Sequence, residues 1–288
     1  MELALGTAQF GLSYGVAGRG CSVPPDEVRA ILQRASALGV RTLDTAAAYG
    51  DIEPRLRALA DGLPLHFISK LPACPADVDS AAAAAWAQAG LARSIERLGP
   101  ALTGFMFHRA DDLLERHADA MWQACQPLAQ AHSIKLGVSC YDTATLTRVR
   151  DRFPVTIAQL PGNALDQRFA HAEAATLTTP LELHLRSAFL QGLLLMEHTA
   201  AAHRVPAAAS ALARWHGWCN TQGLTPLVAA LGLVKGMRAV SHCVVGVDNL
   251  AQLEEIASAW AAAPVLHAPE LQCNDLAVID PRQWPAHI

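Results

Sequence analysis

The stretches VRTLDTAAAYG (Val40 to Gly50), LHFISK (Leu65 to Lys70) and TGFMFH (Thr103 to His108) decide the fold. Each holds a short apolar run of the length and composition of a buried strand, and each run ends on an ionisable residue: Asp44, Lys70 and His108. Tyr49 follows Asp44 five residues on. A polar group at the same end of consecutive buried strands is the pattern of a parallel barrel, in which the carboxyl ends of the strands converge on one mouth. Four residues far apart in sequence would then meet there.

Comparable runs recur at Leu3 to Thr7, Ile134 to Ser139, Thr156 to Leu160, Leu181 to Arg186 and Val240 to Gly246, which makes eight. Between them lie helix-like stretches at Pro24 to Leu38, Pro54 to Ala60, Ala76 to Leu98, Asp112 to Ala131, Thr143 to Arg152, Leu165 to Thr176, Pro206 to Lys235 and Asn249 to Ala263. Regular alternation of strand and helix demands parallel strands with right-handed crossovers, and eight such units close into a barrel of about 250 residues. The expected fold is α/β, an (α/β)8 TIM barrel forming a single domain over residues 1–288. The alanine-rich run Ser80 to Gly90 reads as surface helix, because alanine is the best helix former. Gly15, Gly18 and Gly20 are spaced G-x-x-G-x-G, not the G-x-G-x-x-G of an open dinucleotide-binding sheet, and read as a loop at the barrel mouth.

An apolar share of 52% supports a substantial core and excludes a disordered chain. A net charge of -4 offers no basic field to nucleic acid or to an anionic membrane. No apolar run reaches the length of a membrane span, and the opening MELALGTAQF lacks a secretory signal, so the expected location is cytoplasmic. Seven scattered cysteines without a C-x-x-C pair suggest reduced thiols, neither a disulfide framework nor a thiolate metal site. Trp215, His216, Trp218 and Cys219 fall at helical spacing and read as packing. His242 and Cys243 read as barrel lining, and no metal is expected.

A lysine buried at a strand end needs a compensating carboxylate, and Asp44 at the end of the neighbouring strand is placed to supply it. A tyrosine beside that cation is expected to have its pKa drawn down from about 10, which makes Tyr49 a general acid. His108 can orient a substrate oxygen or relay the proton.

Several segments carry a family resemblance: GTAQFG at Gly6 to Gly11, LDTAAAYG at Leu43 to Gly50, ISK at Ile68 to Lys70, and GVS at Gly137 to Ser139. Further along come QLPGNALDQR at Gln159 to Arg168, FLQGLL at Phe189 to Leu194 and VVGVDNLAQLEE at Val244 to Glu255. Together with the Asp, Tyr, Lys, His set, the chain resembles the aldo-keto reductases from its first strand to its last helix. The resemblance implies a barrel that binds NADP(H) or NAD(H) without a Rossmann fold and reduces an aldehyde or ketone. Tyr49 would protonate the carbonyl oxygen, Lys70 and Asp44 would tune it, and His108 would orient the substrate. Ser139 and Gln159 would hold the carboxamide, Gly6 and Thr7 would border the nicotinamide ribose, Ser187 and Leu193 would lie along the pyrophosphate, and Gly246, Asp248 and Gln252 would lie near the adenosine.

Three positions depart from that pattern. Cys140 follows the GVS serine where an asparagine or arginine is usual. Arg186 stands where an aromatic residue commonly stacks on the nicotinamide; it could stack there, favour the reduced cofactor or an anionic substrate, or turn outward to pair with a carboxylate. No lysine or arginine occurs between Arg238 and Arg282, and Asp248 would repel a 2'-phosphate, so reduced NADPH preference and NADH use are expected. Asp248 could also simply cap the last helix. With few aromatics and a short tail carrying Trp284, the mouth is expected to be open and polar, suited to sugars or small carbonyls. Two other functions fit the same barrel: a non-catalytic nicotinamide-sensing or interaction subunit, and a cofactor-independent isomerase or lyase.

Overall fold

All eight expected strands form in the computed structural model, which describes residues 1–12, 22–171 and 180–284. They are β1 (Glu2–Gly6), β2 (Thr42–Asp44), β3 (His66–Leu71), β4 (Leu102–Phe107), β5 (Lys135–Ser139), β6 (Ile157–Pro161), β7 (Glu182–Arg186) and β8 (His242–Gly246). They pair in parallel in chain order, and β8 closes on β1. With helices surrounding the strands, this is an (α/β)8 TIM barrel.

The two-residue period of a strand sorts the side chains between two cores. Leu43, Phe67, Phe105, Val138, Ala158, Leu185 and Val245 face outward into one large apolar cluster shared with the helices. The alternate residues face inward, where Ile68, Met106 and Ile157 form a small apolar plug. Gly104 makes room for it, since a Cβ there would lie 2.7 Å from Ile68 and 2.9 Å from Ile157. One step beyond the plug, toward the carboxyl ends, the same inward rows reach Asp44, Lys70, Gln159 and Arg186.

At the opposite end the barrel is closed by polar groups. The rings of His184 and His242 stack with centroids 4.4 Å apart, His184 Nε2 lies 2.8 Å from Glu182 Oε1, and Lys135 pairs with Glu182. Ligand atoms of Glu182, His184 and His242 all fall within 4.8 Å of one another. His242 thus lines the barrel at the end remote from the mouth, which in this fold serves stability.

Several boundaries differ from the sequence expectation. The stretch Pro206 to Lys235 is two helices, Ala209–Gln222 and Pro226–Lys235. Gly223 ends the first in the left-handed region at φ 65, and the Thr225 hydroxyl caps the second ahead of Pro226. Trp215 is fully buried in a second apolar cluster beneath these helices, with Cys219 and Trp284. The alanine-rich helix Ser80–Leu98 starts at an Asp79 cap and is not wholly surface: Ala83, Ala87, Gly90 and Leu91 are buried, and a Cβ on Gly90 would lie 2.2 Å from Leu71. Of the stretch Leu165 to Thr176, a short helix Arg168–His171 forms, and residues 172–179 lie outside the described residues, as do Gly15, Gly18 and Gly20. Among the described residues, no helix is long and apolar enough to cross a membrane.

Candidate active site

Lys70 is completely buried near the end of β3. Its Nζ donates to both carboxylate oxygens of Asp44, at 2.8 and 2.7 Å, and to the Thr45 carbonyl at 2.9 Å. A buried ammonium is tolerable only with such compensation. Gln159, from the far side of the barrel, donates to Asp44 Oδ1 at 2.8 Å and fixes the carboxylate from a third direction. Lys70 Nζ lies 5.6 Å from the centroid of the Tyr49 ring, and the Tyr49 and His108 rings meet edge to face at 6.0 Å. The barrel therefore brings Asp44, Tyr49, Lys70 and His108 together.

The electrostatics of Tyr49 run opposite to the sequence expectation. Burial raises its pKa well above the ordinary phenol value, the Asp44 carboxylate pushes in the same direction, and Arg186 works the other way. The ammonium expected to acidify it is outweighed by burial and by the Asp44 carboxylate with which it pairs. Burial, and to a smaller degree the Lys70 charge, pushes His108 down to about 4, so its imidazole is neutral at ordinary pH.

Beside this cluster opens a cavity of about 550 Å³, bounded by Gly6, Thr7, Asp44, Tyr49, Gln159, Arg186, Ser187, Gly246, Asp248 and Gln252. Ten residues read from the sequence thus share one wall. Ser139 is buried behind it, paired in register with Gln159. Leu193 turns its side chain wholly into the second apolar cluster, and Gln191 and Gly192 of the same turn face the cavity in its place. Cys140 is buried, with burial pushing its thiol up to about 12.

Asp248 is not the cap of the last helix. Asn249 caps Leu250–Ala262 by accepting from the Gln252 N–H, while the Gln252 side chain accepts from the Asp248 N–H at 2.7 Å. Arg186 does not turn outward to a carboxylate of the described residues. Its guanidinium lies 4.3 Å over the Tyr141 ring and donates to the Cys140 carbonyl and the Ser187 hydroxyl, both at 3.4 Å.

The sequence reading missed Gln9, Phe189, Gln191, Gly192, Thr225 and Glu255, all on the cavity wall. Backbone strain marks one of them: Gln191, like its neighbours Ser187 and Leu190, holds a left-handed φ (55, beside 64 and 48), a conformation non-glycine residues avoid unless their surroundings impose it, and one that clusters at functional sites. A close approach marks another part. A Cβ on Gly246 would collide with the Gln9 side chain at 2.3 Å, so the glycine is what lets Gln9 lie flat against the backbone of the cavity wall.

The aldo/keto reductase family model matches residues 2–271. The chain belongs to the aldo/keto reductase family. Membership places it among oxidoreductases of carbonyl compounds. An aldo-keto reductase from Bacillus halodurans, in its holo form, superposes with a TM-score of 0.71 at 17% identity, covering 94% of this chain and 89% of that one. A Pseudomonas aeruginosa protein described as an aldo-keto reductase superposes with a TM-score of 0.67 at 21% identity, covering 91% and 90%. At these identities the likeness concerns the fold. No curated protein matches the sequence.

Proposed function

We propose that this aldo/keto reductase reduces an aldehyde or ketone with a nicotinamide cofactor and that Tyr49 delivers the proton. The reading rests on one observation: a fully buried Lys70, locked bidentately to Asp44, lies 5.6 Å from the Tyr49 ring at the edge of the cavity. The bound cofactor supplies the hydride. Tyr49, its pKa raised by burial, keeps its proton until the carbonyl oxygen gains negative charge, and Lys70 is close enough to stabilise the phenolate that results. Asp44 and Gln159 hold that ammonium in place. Neutral His108 orients the oxygen by a hydrogen bond.

The cavity suits an extended dinucleotide. Gly246 leaves room for the Gln9 side chain on its wall, and Gly192, at φ 91, belongs to a turn whose conformation only glycine adopts without strain. Gln159 and Ser139 would hold the carboxamide, Ser187, Gln191 and Gly192 the pyrophosphate, and Gly246, Asp248 and Gln252 the adenosine end. Asp248 and Glu255 both border that end, and two carboxylates would repel a 2'-phosphate. NADH is therefore the expected cofactor.

Tryptophan-fluorescence titration with NADH and NADPH, followed by assay with small aldehydes, tests both parts. Saturable binding with NADH tighter, and a loss of about 10³-fold in turnover in Tyr49→Phe at unchanged cofactor Kd, is the expected result. Much tighter NADPH, with Asp248→Ser changing neither affinity, would refute the cofactor assignment. Full activity in Tyr49→Phe would refute the proton donor.

A further inference from the structure

Three guanidiniums gather around Tyr141 at the barrel mouth, and two of them are already neutralised. Arg168 is held by Asp166 through Nε and Nη2, both at 2.8 Å, and donates to the Tyr141 carbonyl at 3.2 Å. Arg282, brought in by the C-terminal tail, lies 3.4 Å over the Tyr141 ring and is gripped by Asp280 through Nε at 2.9 Å and Nη2 at 2.6 Å. Arg186 lies over the same ring, yet among the described residues no carboxylate oxygen comes within ion-pair distance of it. The oxygens of Asp280, near enough to feel its charge, are already engaged by Arg282.

Arg186 is also the member of the three that faces the cavity, on the same wall as Tyr49. It is pre-positioned: its guanidinium lies over the Tyr141 ring, and the Ser187 hydroxyl and Cys140 carbonyl take one donor each from Nη1 and Nη2. A half-buried guanidinium with remaining donors and, among the described residues, no carboxylate at ion-pair distance is an incomplete ion pair, and its fork fits a carboxylate. One uncompensated positive charge, with Asp44 also on the wall, suits a monoanion better than a doubly charged phosphate.

We propose that Arg186 reads a carboxylate on the substrate, so that the preferred substrates are oxo acids, aldehydes or ketones bearing a carboxylate. This rests on the reading of the cavity as a carbonyl-reducing site. Tyr141 and Arg282 act as positioning residues, holding the guanidinium plane without touching the substrate.

The test compares 4-carboxybenzaldehyde with its neutral methyl ester, and succinic semialdehyde with butanal, in the wild type, Arg186→Met and Arg186→Lys, with cofactor Kd measured alongside. The wild type should favour the acids through KM, and that advantage should shrink at high salt. In Arg186→Met the acid-to-neutral ratio of kcat/KM should fall by about 10- to 100-fold, with Arg186→Lys between the two. A ratio unchanged in Arg186→Met overturns the proposal. So does an equal loss on both substrates together with weaker cofactor binding, which would make Arg186 a cofactor contact. Should Arg186→Met fail to fold, inhibition of wild-type butanal reduction decides: competition by benzoate but not by benzamide supports the carboxylate site, and equal effects of the two overturn it. If the wild type reduces neutral aldehydes with no preference for acids, only this inference falls. If it binds no dinucleotide at all, the underlying reductase reading falls as well.

Discussion

Lys70 illustrates how strongly one residue can depend on its partner. Its ammonium is removed from water and compensated by Asp44, so its stability lies in the pair. Lys70→Met strands the Asp44 carboxylate in the barrel interior and should destabilise the protein by about 3–5 kcal/mol. Lys70→Met combined with Asp44→Asn removes the stranded charge and should be less destabilised than Lys70→Met alone, an inversion that urea denaturation of the two proteins would reveal. If the double variant is the weaker one, the pair is not electrostatically coupled as described. Both residues could be read from the sequence because each ends an apolar run, where an ionisable group has no bland place to go. Tyr49 could be identified but its acidity could not: the sequence supplies the neighbouring cation, whereas burial and the bidentate Asp44 contact that outweigh it exist only in the folded chain. Glu53 escaped notice altogether. On a short helix it looks like a solvated charge, yet it is buried and accepts from Ser69 at 2.6 Å and Ser94 at 2.7 Å.

At the level of elements, the strands were the most legible part, because their alternation and polar ends carry both register and direction. Loops were the least legible. The turn Leu190–Leu195 holds consecutive left-handed residues, and nothing in FLQGLL but its glycine signals that path. Caps were missed where two polar residues adjoin: Asp248 and Asn249 are both good capping residues, and only the backbone shows that Asn249 does the capping. Two glycines separate conformational need from mere presence. Gly192 sits at φ 91 on the cavity wall, while Gly217 lies in the helix Ala209–Gln222 with nothing within 4 Å of an added Cβ. Gly192→Ala should therefore lose about 1–2 kcal/mol and weaken dinucleotide binding. Gly217→Ala should gain about 0.5–1 kcal/mol and leave binding alone. Thermal denaturation and cofactor titration of the two variants check this, and equal effects on stability would contradict it.

Across the whole molecule the barrel divides its polar interior between two ends with different duties. The carboxyl end gathers groups that face the cavity, while the amino end stacks the buried His184 on the half-buried His242, beside Glu182, far from it. Both ends nevertheless make the same demand in acid. Burial keeps His108 neutral down to about 4, and burial with the neighbouring His184 lowers His242 below the ordinary imidazole value. The hydrogen bond to His184, with Lys135 close by, holds Glu182 down to about 2. In each case the native state takes up its proton at lower pH than the unfolded chain does, so stability is fullest above the unfolded pKa and falls with pH. For the histidines the loss opens near pH 6.5, and for His108 it runs to about 4. For Glu182 it runs from about 4.5 to about 2, where other carboxylates titrate too. The upper window is thus the informative one. Urea midpoints at pH 7, 6 and 5 should decline steadily in the wild type, and His108→Phe, which removes one of the described histidines that burial lowers (His216 is another), should flatten the decline between pH 6.5 and 5 without abolishing it. A wild-type midpoint constant from pH 7 to 5 would mean that these imidazoles are not held neutral by the fold.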